Sequence, residues 1–165
     1  MIFVDMDGVL AKWDTSASLE DTYEEGYFSR REEETKITEL IRMLKKLGHK
    51  VAILSAVYPT GTAAADKNGW LDKHGLPDIR RIFVPYGEDK AAYIPKQELE
   101  PMILIDDYSR NLHAWEQAGN VGVKFMNGIN GTHGTWKGRA INHNMTAAEM
   151  FAVISPLDLG ISGTD

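Results

Sequence analysis

Met1-Ile-Phe-Val-Asp-Met-Asp-Gly-Val-Leu10 is the stretch of sequence on which the prediction of the fold depends. Residues 2–4 are apolar without alternation, which is typical of a strand buried on both faces of a parallel sheet. The strand leads into Asp5 and Asp7, whose side chains point to one side of an extended chain because they are two residues apart. We expect Gly8 to allow a sharp turn or a close approach of the backbone to another group. Two acids at the end of an apolar strand are costly unless a cation or a proton lies between them, so this stretch predicts a functional site.

The composition indicates one soluble globular domain over residues 1–165, with 43% hydrophobic and 25% charged residues. A net charge of -6 argues against partners such as nucleic acid polymers and membrane surfaces. The chain has no cysteine, which excludes disulfides and thiolate metal sites. No apolar run approaches the roughly 20 residues of a membrane span, and no signal peptide is visible, so we expect a cytoplasmic protein.

Short apolar runs alternate with amphipathic stretches, which predicts βαβ units and a parallel sheet. Strands are predicted over residues 2–4, 50–54, 81–84, 102–105 and 121–125, and helices over 36–47, 62–74 and 109–117. Residues 127–138 are predicted to form a loop. A last helix starts at Thr146, where Thr-Ala-Ala-Glu149 matches a capping box, and is predicted to end at Pro156.

The segment 11–35 interrupts this alternation with aromatic residues set among acids. It is either a solvated loop that leads into a helix, or a small cap whose aromatic side chains cover a ligand. Both interpretations agree with the sequence.

Reactive side chains follow four of the predicted strands. Ligands of doubly wound sheets bind at the carboxyl ends of the strands, where this chain has two acid pairs, a hydroxyl and a lysine. These residues are Asp5 with Asp7, Ser55, Lys90, and Asp106 with Asp107. Each one alone has an ordinary explanation as a turn residue, a helix cap or a solvated charge. Their joint occurrence at the strand ends favours a shared site.

The chemistry of this set favours phosphoryl transfer. Several carboxylates cannot share a cavity without a cation, and all-oxygen ligands without Cys or His favour Mg²⁺. A hydroxyl and a lysine can bind the oxygens of a phosphate that the cation also holds. One carboxylate is then free to attack phosphorus, and its neighbour can protonate the leaving oxygen and later activate water.

The motifs resemble those of the haloacid-dehalogenase-like (HAD) superfamily of phosphohydrolases. Asp5-Met-Asp7-Gly-Val is similar to the family signature Asp-x-Asp-Gly-Thr/Val, and Leu54-Ser55 is similar to its second motif. Lys90 fits the third motif, and Asp106-Asp107-x-x-x-Asn111 fits the acidic fourth. The resemblance implies a Rossmann-like three-layer α/β/α core with a five-stranded parallel sheet in the order 5-4-1-2-3. It also implies that residues 11–35 are a small cap inserted after the first strand.

Within the superfamily the chain looks most like the 5′(3′)-deoxyribonucleotidases, the cytosolic type C 5′-nucleotidases. Leu104-Ile-Asp-Asp107 and the short cap directly after the first motif carry this resemblance. It implies a phosphatase whose small-molecule substrate is a nucleoside monophosphate. Trp13 is then the candidate to stack the base, with Tyr27 and Phe28 behind it, although Trp13 can equally be a residue that packs the cap on the core.

The resemblance also implies a role for each motif residue. Asp5 would be the nucleophile and a Mg²⁺ ligand, and Asp7 would be the acid/base and give its backbone carbonyl to the metal. By its spacing to Asn111, Asp107 is the better match for the family's metal ligand, and Asp106 would support it, although the double acid leaves this open. The phosphate would be bound by Ser55, the Ala56 amide and Lys90, with Lys96 as a rival to Lys90.

Two other functions fit the same residues. One is a phosphatase for a sugar phosphate or another small phosphorylated metabolite. The other is a non-enzymatic phospho-acceptor like a bacterial receiver domain, which also combines paired acids, Mg²⁺, a Ser or Thr and a Lys. Receivers carry the acceptor at the end of a middle strand, whereas Asp5 ends the first strand of this chain.

Overall fold

The computed structural model of the protein describes residues 1–59, 61–95, 101–130 and 134–158. Six strands lie in these ranges: β1 (Ile2–Val4), β2 (Val51–Val57), β3 (Arg80–Pro85), β4 (Ile103–Asp106), β5 (Val121–Met126) and β6 (Arg139–Asn142). The α-helices are α1 (Thr35–Lys46), α2 (Ala63–Lys73), α3 (Ser109–Gln117) and α4 (Ala147–Asp158). Short 3-10 helices lie at Asp21–Tyr23, Phe28–Arg30 and Lys90–Tyr93. No helix in the described ranges is long and apolar enough to cross a membrane.

The strands form one parallel sheet in the order β3-β2-β1-β4-β5-β6. The predicted α/β fold with a parallel sheet is confirmed, and the predicted order 5-4-1-2-3 is observed for the first five strands. The predicted count of five strands is wrong, because β6 pairs with β5 at the edge of the sheet. The sequence hides β6 because Ile141 is the one buried residue of its four, so no apolar run marks the strand.

Helices cover both faces of the sheet, as in a Rossmann-like fold. Ile2 and Val4 of β1 belong to a buried cluster that includes residues of α1, α2 and α4. Phe3 faces the opposite cluster, where its ring meets that of Trp115 of α3 edge-on at 5.4 Å. All three residues of β1 are fully buried, which explains why the sequence of this strand shows no alternation.

Helix α4 starts as the sequence predicts and ends later than predicted. The Thr146 hydroxyl accepts a hydrogen bond from the Glu149 N–H at 3.2 Å, and the Glu149 carboxylate accepts one from the Thr146 N–H at 2.7 Å, which confirms the capping box. The prediction that Pro156 ends the helix is wrong, since α4 continues to Asp158. Asp158, the last residue of the helix, has its carboxylate 2.7 Å from His49 Nδ1 and 2.5 Å from the amino group of Met1.

Residues 11–34 leave the end of β1 and return beside it, and we call them the 11–34 segment. The Lys12 N–H donates to the Glu32 carbonyl at 2.8 Å, which joins the two ends of the segment. The indole N–H of Trp70, a fully buried residue of α2, donates to the Arg31 carbonyl at 2.8 Å. The segment therefore lies over the carboxyl edge of the sheet and is attached to α2.

Candidate active site

The sheet order brings the predicted site residues to one edge. Strand β1 lies between β2 and β4, and Val4 pairs with Ile105 of β4. The Asp5 N–H donates to the Ile105 carbonyl at 2.9 Å, so Asp5 continues the line of the strand. Ser55 of β2 and Asp106 at the end of β4 consequently lie on the two sides of Asp5.

A tight turn after Asp7 makes room for a second acid. The Leu10 and Ala11 N–H groups both donate to the Met6 carbonyl, at 2.9 and 2.8 Å. Gly8 has a φ of +76°, and a Cβ at this position would overlap the carboxylate of Asp107. The sequence expectation of a sharp turn and a close approach at Gly8 is therefore met in both respects.

Three carboxylates converge beneath this turn. Oxygens of Asp5, Asp106 and Asp107 lie within 4.8 Å of one another. Asp106 is fully buried, and its two oxygens accept hydrogen bonds from Lys90 Nζ at 2.6 Å, from Asn111 Nδ2 at 2.9 Å and from the backbone N–H of Tyr108 at 2.8 Å. Asn111, which the sequence suggested as the companion of Asp107, thus contacts Asp106.

Asp107 is held less tightly than Asp106. Its Oδ2 accepts a hydrogen bond from Asn127 Nδ2 at 3.0 Å, and the same amide donates to the Gly8 carbonyl at 2.9 Å. Burial raises the pKa of Asp107 well above its usual value, and the negative charges of Asp106 and Asp5 raise it further. Burial also raises the pKa of Asp106, although the charge of Lys90 opposes this shift. The cluster therefore favours any positive charge, a proton or a metal ion, that enters it.

Lys90 supplies one positive charge to this cluster. Its ammonium is buried and lies 2.6 Å from Asp106 Oδ2 and 2.9 Å from Asp5 Oδ1. The contact with Asp5 is an ion pair. Burial by itself lowers the pKa of Lys90, but the negative charges of Asp106 and Asp5 outweigh it, and the pKa is raised. Its rival in the sequence, Lys96, lies outside the described residues.

Lys67 of α2 is a site residue that the sequence reasoning missed. It is fully buried, it donates a hydrogen bond to Asp7, and its Nζ lies 3.0 Å from Ser55 Oγ and 2.6 Å from the Ala56 carbonyl oxygen. It also lies 4.6 Å from the centre of the Phe28 ring. Burial raises the pKa of Asp7, and the negative charge of Asp5 raises it further. The positive charge of Lys67 lowers this pKa, but the net shift is upward.

The periodicity of α2 contained a signal for Lys67. The buried residues of this helix are Ala63, Lys67, Trp70 and Leu71, which follow one another at helical spacing along a single face. A lysine on the apolar face of a helix needs a buried partner, because an unpaired charge is costly there. This position was therefore a candidate for contact with an acid.

A cavity of about 290 Å³ opens above the cluster. Seven of the residues that the sequence predicted for the site line it: Asp5, Asp7, Trp13, Phe28, Ala56, Lys90 and Asp107. Ser55 and Asp106 are fully buried and are not among the lining residues. Three tyrosines that the sequence reasoning did not select also line the cavity, namely Tyr58, Tyr86 and Tyr108.

The aromatic residues of the 11–34 segment differ in their access to the cavity. Trp13 lines it and is 40% exposed. Phe28 lines it but is buried, with Lys67 over its ring. Tyr27 is buried and does not line the cavity, and the Arg31 guanidinium lies 4.3 Å from the centre of its ring. Of the three candidates for stacking a base, Tyr27 is thus the one that the fold separates from the cavity.

No protein-family model matches the sequence, and no curated protein is similar to it in sequence. Solved structures share the fold. One is a chain of the "Structure of Pnkp1/Rnl/Hen1 complex", with a TM-score of 0.59 and 16% sequence identity. The match covers 74% of this chain and 44% of that chain, so this chain spans less than half the length of that relative. At this identity the likeness shows the α/β fold alone.

We expect Gly8→Ala to lower the free energy of unfolding by more than Gly48→Ala does. Both glycines have positive φ, 76° and 87°, so alanine at either position adds about 1–2 kcal/mol of backbone strain. A Cβ at Gly8 would also overlap the Asp107 carboxylate, whereas no described atom lies within 4 Å of a Cβ at Gly48. Urea denaturation of both variants measures the difference, and equal losses would contradict the close approach of Gly8 and Asp107.

Proposed function

We propose that this chain is a Mg²⁺-dependent phosphomonoester hydrolase of the HAD type, which works through an aspartyl-phosphate intermediate. The observation that carries the proposal is the setting of Asp5, which lines the cavity at the end of the central strand. Its Oδ1 lies 2.9 Å from Lys90 Nζ, and oxygens of Asp106 and Asp107 lie within 4.8 Å of an Asp5 oxygen. A buried carboxylate that ends a central strand, lines a cavity and has a lysine beside it is suited to attack phosphorus.

The donor atoms and the charge balance of the site fit a divalent cation. Asp5, Asp106 and Asp107 place three carboxyl groups within 4.8 Å of one another, and Lys90 is the lysine that contacts two of them. Because both oxygens of Asp106 already accept hydrogen bonds, Asp5 and Asp107 would hold the ion and Asp106 would support them. All-oxygen donors favour a hard cation such as Mg²⁺, which would neutralise charge on the transferred phosphoryl group.

The side chains of the chain can then carry two balanced steps. A carboxylate oxygen of Asp5 attacks phosphorus, the bond between phosphorus and the ester oxygen breaks, and Asp7 gives its proton to the leaving alcohol. Water next attacks phosphorus, Asp7 takes a proton from it, and the bond between phosphorus and Asp5 breaks to release inorganic phosphate. The raised pKa of Asp7 supports this role, since an acid catalyst must hold its proton in the first step.

Lys67, Lys90 and the backbone near Ala56 are suited to hold the phosphate. Lys90 and Ala56 line the cavity, and Lys67 contacts both Asp7 and the Ala56 carbonyl oxygen. Ser55, which the sequence suggested as a phosphate ligand, does not line the cavity, and its hydroxyl, 3.0 Å from Lys67, would orient that lysine. Fixed positive groups of this kind stabilise the charge that develops on a phosphoryl group in transfer.

The size and lining of the cavity favour a small substrate. A volume of about 290 Å³ lies at the lower end of the range of pockets that hold small molecules, roughly 300–1,000 Å³. Aromatic side chains at its rim favour a nucleoside monophosphate, in keeping with the resemblance to 5′(3′)-deoxyribonucleotidases. We propose that the 11–34 segment is the small cap of this enzyme, with Trp13 as its contribution to the cavity.

We expect release of p-nitrophenol from p-nitrophenyl phosphate to require Mg²⁺. Treatment with EDTA followed by gel filtration removes the ion, and the unbalanced carboxylates then repel the phosphate. Activity should return when MgCl₂ is added but not when NaCl of equal ionic strength is added. Full turnover by the metal-free protein would rule out the proposed role of the cation.

We expect Asp5→Asn to lower kcat by about a thousandfold or more, because an amide cannot replace the carboxylate nucleophile. The matched control is Asp78→Asn, since Asp78 is an exposed acid that does not line the cavity. Phosphate release from dUMP measures both variants. Normal turnover by Asp5→Asn would contradict the assignment of the nucleophile, and a stable phospho-Asp5 in the unmodified protein with negligible turnover would favour the receiver-like alternative.

Lys67→Met should lower kcat/KM for dUMP by about a hundredfold, because Asp7 and the phosphate both lose a fixed positive partner. Methionine keeps the length of the side chain, so packing in α2 is largely preserved. Lys73→Met on the same helix is the control, since Lys73 is exposed. Circular dichroism establishes that both variants fold. Equal kcat/KM values for the two folded variants would remove Lys67 from the site.

A further inference from the structure

Two tyrosines form an aromatic surface on the side of the cavity next to β2 and β3. Tyr58 and Tyr86 follow these two strands, and both line the cavity that contains Asp5 and Asp7. Their ring centres lie 5.1 Å apart, with an angle of 48° between the ring planes. The two rings therefore give the cavity one continuous apolar flank.

Tyr58 is held in place before any ligand binds. Its hydroxyl lies 3.3 Å from that of Thr22, and its ring lies 4.6 Å from the ring of Tyr23. The backbone of Tyr86 is also anchored, since its N–H donates to the Val57 carbonyl at 2.9 Å and ties the end of β3 to β2. Because the side chain of Tyr58 is fixed, it loses little conformational freedom when a planar group stacks on it.

Tyr86 lines the cavity and remains largely exposed. The residue is 66% exposed, and the ring of Tyr58 packs against its ring. By contrast, Phe28 is buried beneath Lys67, and Tyr27 is covered by Arg31, so neither offers a free ring face. Tyr86 and Tyr58 are therefore better placed to receive a planar group than these two residues of the 11–34 segment.

We propose that Tyr58 and Tyr86 form the surface on which the nucleobase of the substrate stacks, and that they set the preference for nucleotides over phosphate esters without a base. This inference rests on the proposed phosphatase function, because the phosphate fixes the substrate at Asp5. Lys90 would bind the charged end of the ligand next to Asp5, and the two tyrosines would cover its aromatic end. Base-aromatic stacking depends weakly on which base is present, so the surface selects nucleotides as a class.

The test compares dUMP with 2-deoxyribose 5-phosphate, which has the same sugar and phosphate but no base. We expect the unmodified protein to prefer dUMP in kcat/KM, and we expect Tyr86→Ala and Tyr58→Leu each to lower the ratio of the two kcat/KM values about tenfold. Tyr93→Ala is the control, because Tyr93 is 43% exposed but does not line the cavity, and it should leave the ratio unchanged.

Three results would overturn the inference. The first is that neither Tyr86→Ala nor Tyr58→Leu changes the ratio of kcat/KM for dUMP to kcat/KM for 2-deoxyribose 5-phosphate. The second is that the unmodified protein hydrolyses both esters with equal kcat/KM. The third is that Trp13→Leu abolishes the preference for dUMP, whereas Tyr86→Ala and Tyr58→Leu retain it. The base would then lie against the 11–34 segment. In each case phosphate is still released, so the proposed phosphatase function would stand.

A binding measurement separates the two proposals if no phosphate is released. Calorimetric titration of dUMP into Asp5→Asn protein, with and without Tyr86→Ala, does not depend on turnover. We expect the dissociation constant to rise about tenfold in the double variant. Equal dissociation constants would overturn the stacking surface. If the dissociation constant rises but the unmodified protein shows no turnover, the stacking surface is supported and the proposed hydrolase activity is rejected.

Discussion

The ion pairs of Lys90 with Asp5 and Asp106 are the interaction on which the rest of the site depends. All three side chains are buried at the carboxyl edge of the sheet, where an unpaired charge would be strongly unfavourable. Asp5 ends the central strand, and Asp106 ends its neighbour β4, so the sheet itself sets the distance between the acids. Lys90, which follows β3, reaches across to them and makes their burial possible.

A second lysine extends this arrangement to the other acid of the first motif. Lys67 comes from α2 and pairs with Asp7, and the same helix carries Trp70, which donates to the backbone of Arg31 in the 11–34 segment. The packing of α2 therefore places a lysine beside Asp7 and also attaches the segment that carries Trp13. One helix, whose buried face includes a charge, thus contacts both Asp7 and the 11–34 segment.

The sequence predicted the elements of the fold well where buried residues form an apolar run or an amphipathic repeat, and poorly where they do not. Strands β1 to β5 are apolar runs, and the five strands appear in the predicted order. Strand β6 was missed because it lies at the sheet edge and buries Ile141 alone. The end of α4 was placed at Pro156, whereas the helix continues to Asp158, which contacts His49, a residue distant in sequence. Edge strands and helix ends depend on such partners, which local sequence does not reveal.

By itself the sequence determined which residues end the strands, and hence that Asp5, Asp7, Asp106 and Asp107 share one edge of a parallel sheet. It did so because alternating apolar and amphipathic segments predict parallel strands, whose carboxyl ends meet at one edge. The order of the strands was implied by the resemblance to the HAD superfamily. Tertiary structure alone decided which positive charge meets which acid, that Tyr27 is covered, and that Tyr58 and Tyr86 flank the cavity. These contacts join residues far apart in the chain, and their geometry is fixed by how helices and loops pack on the sheet.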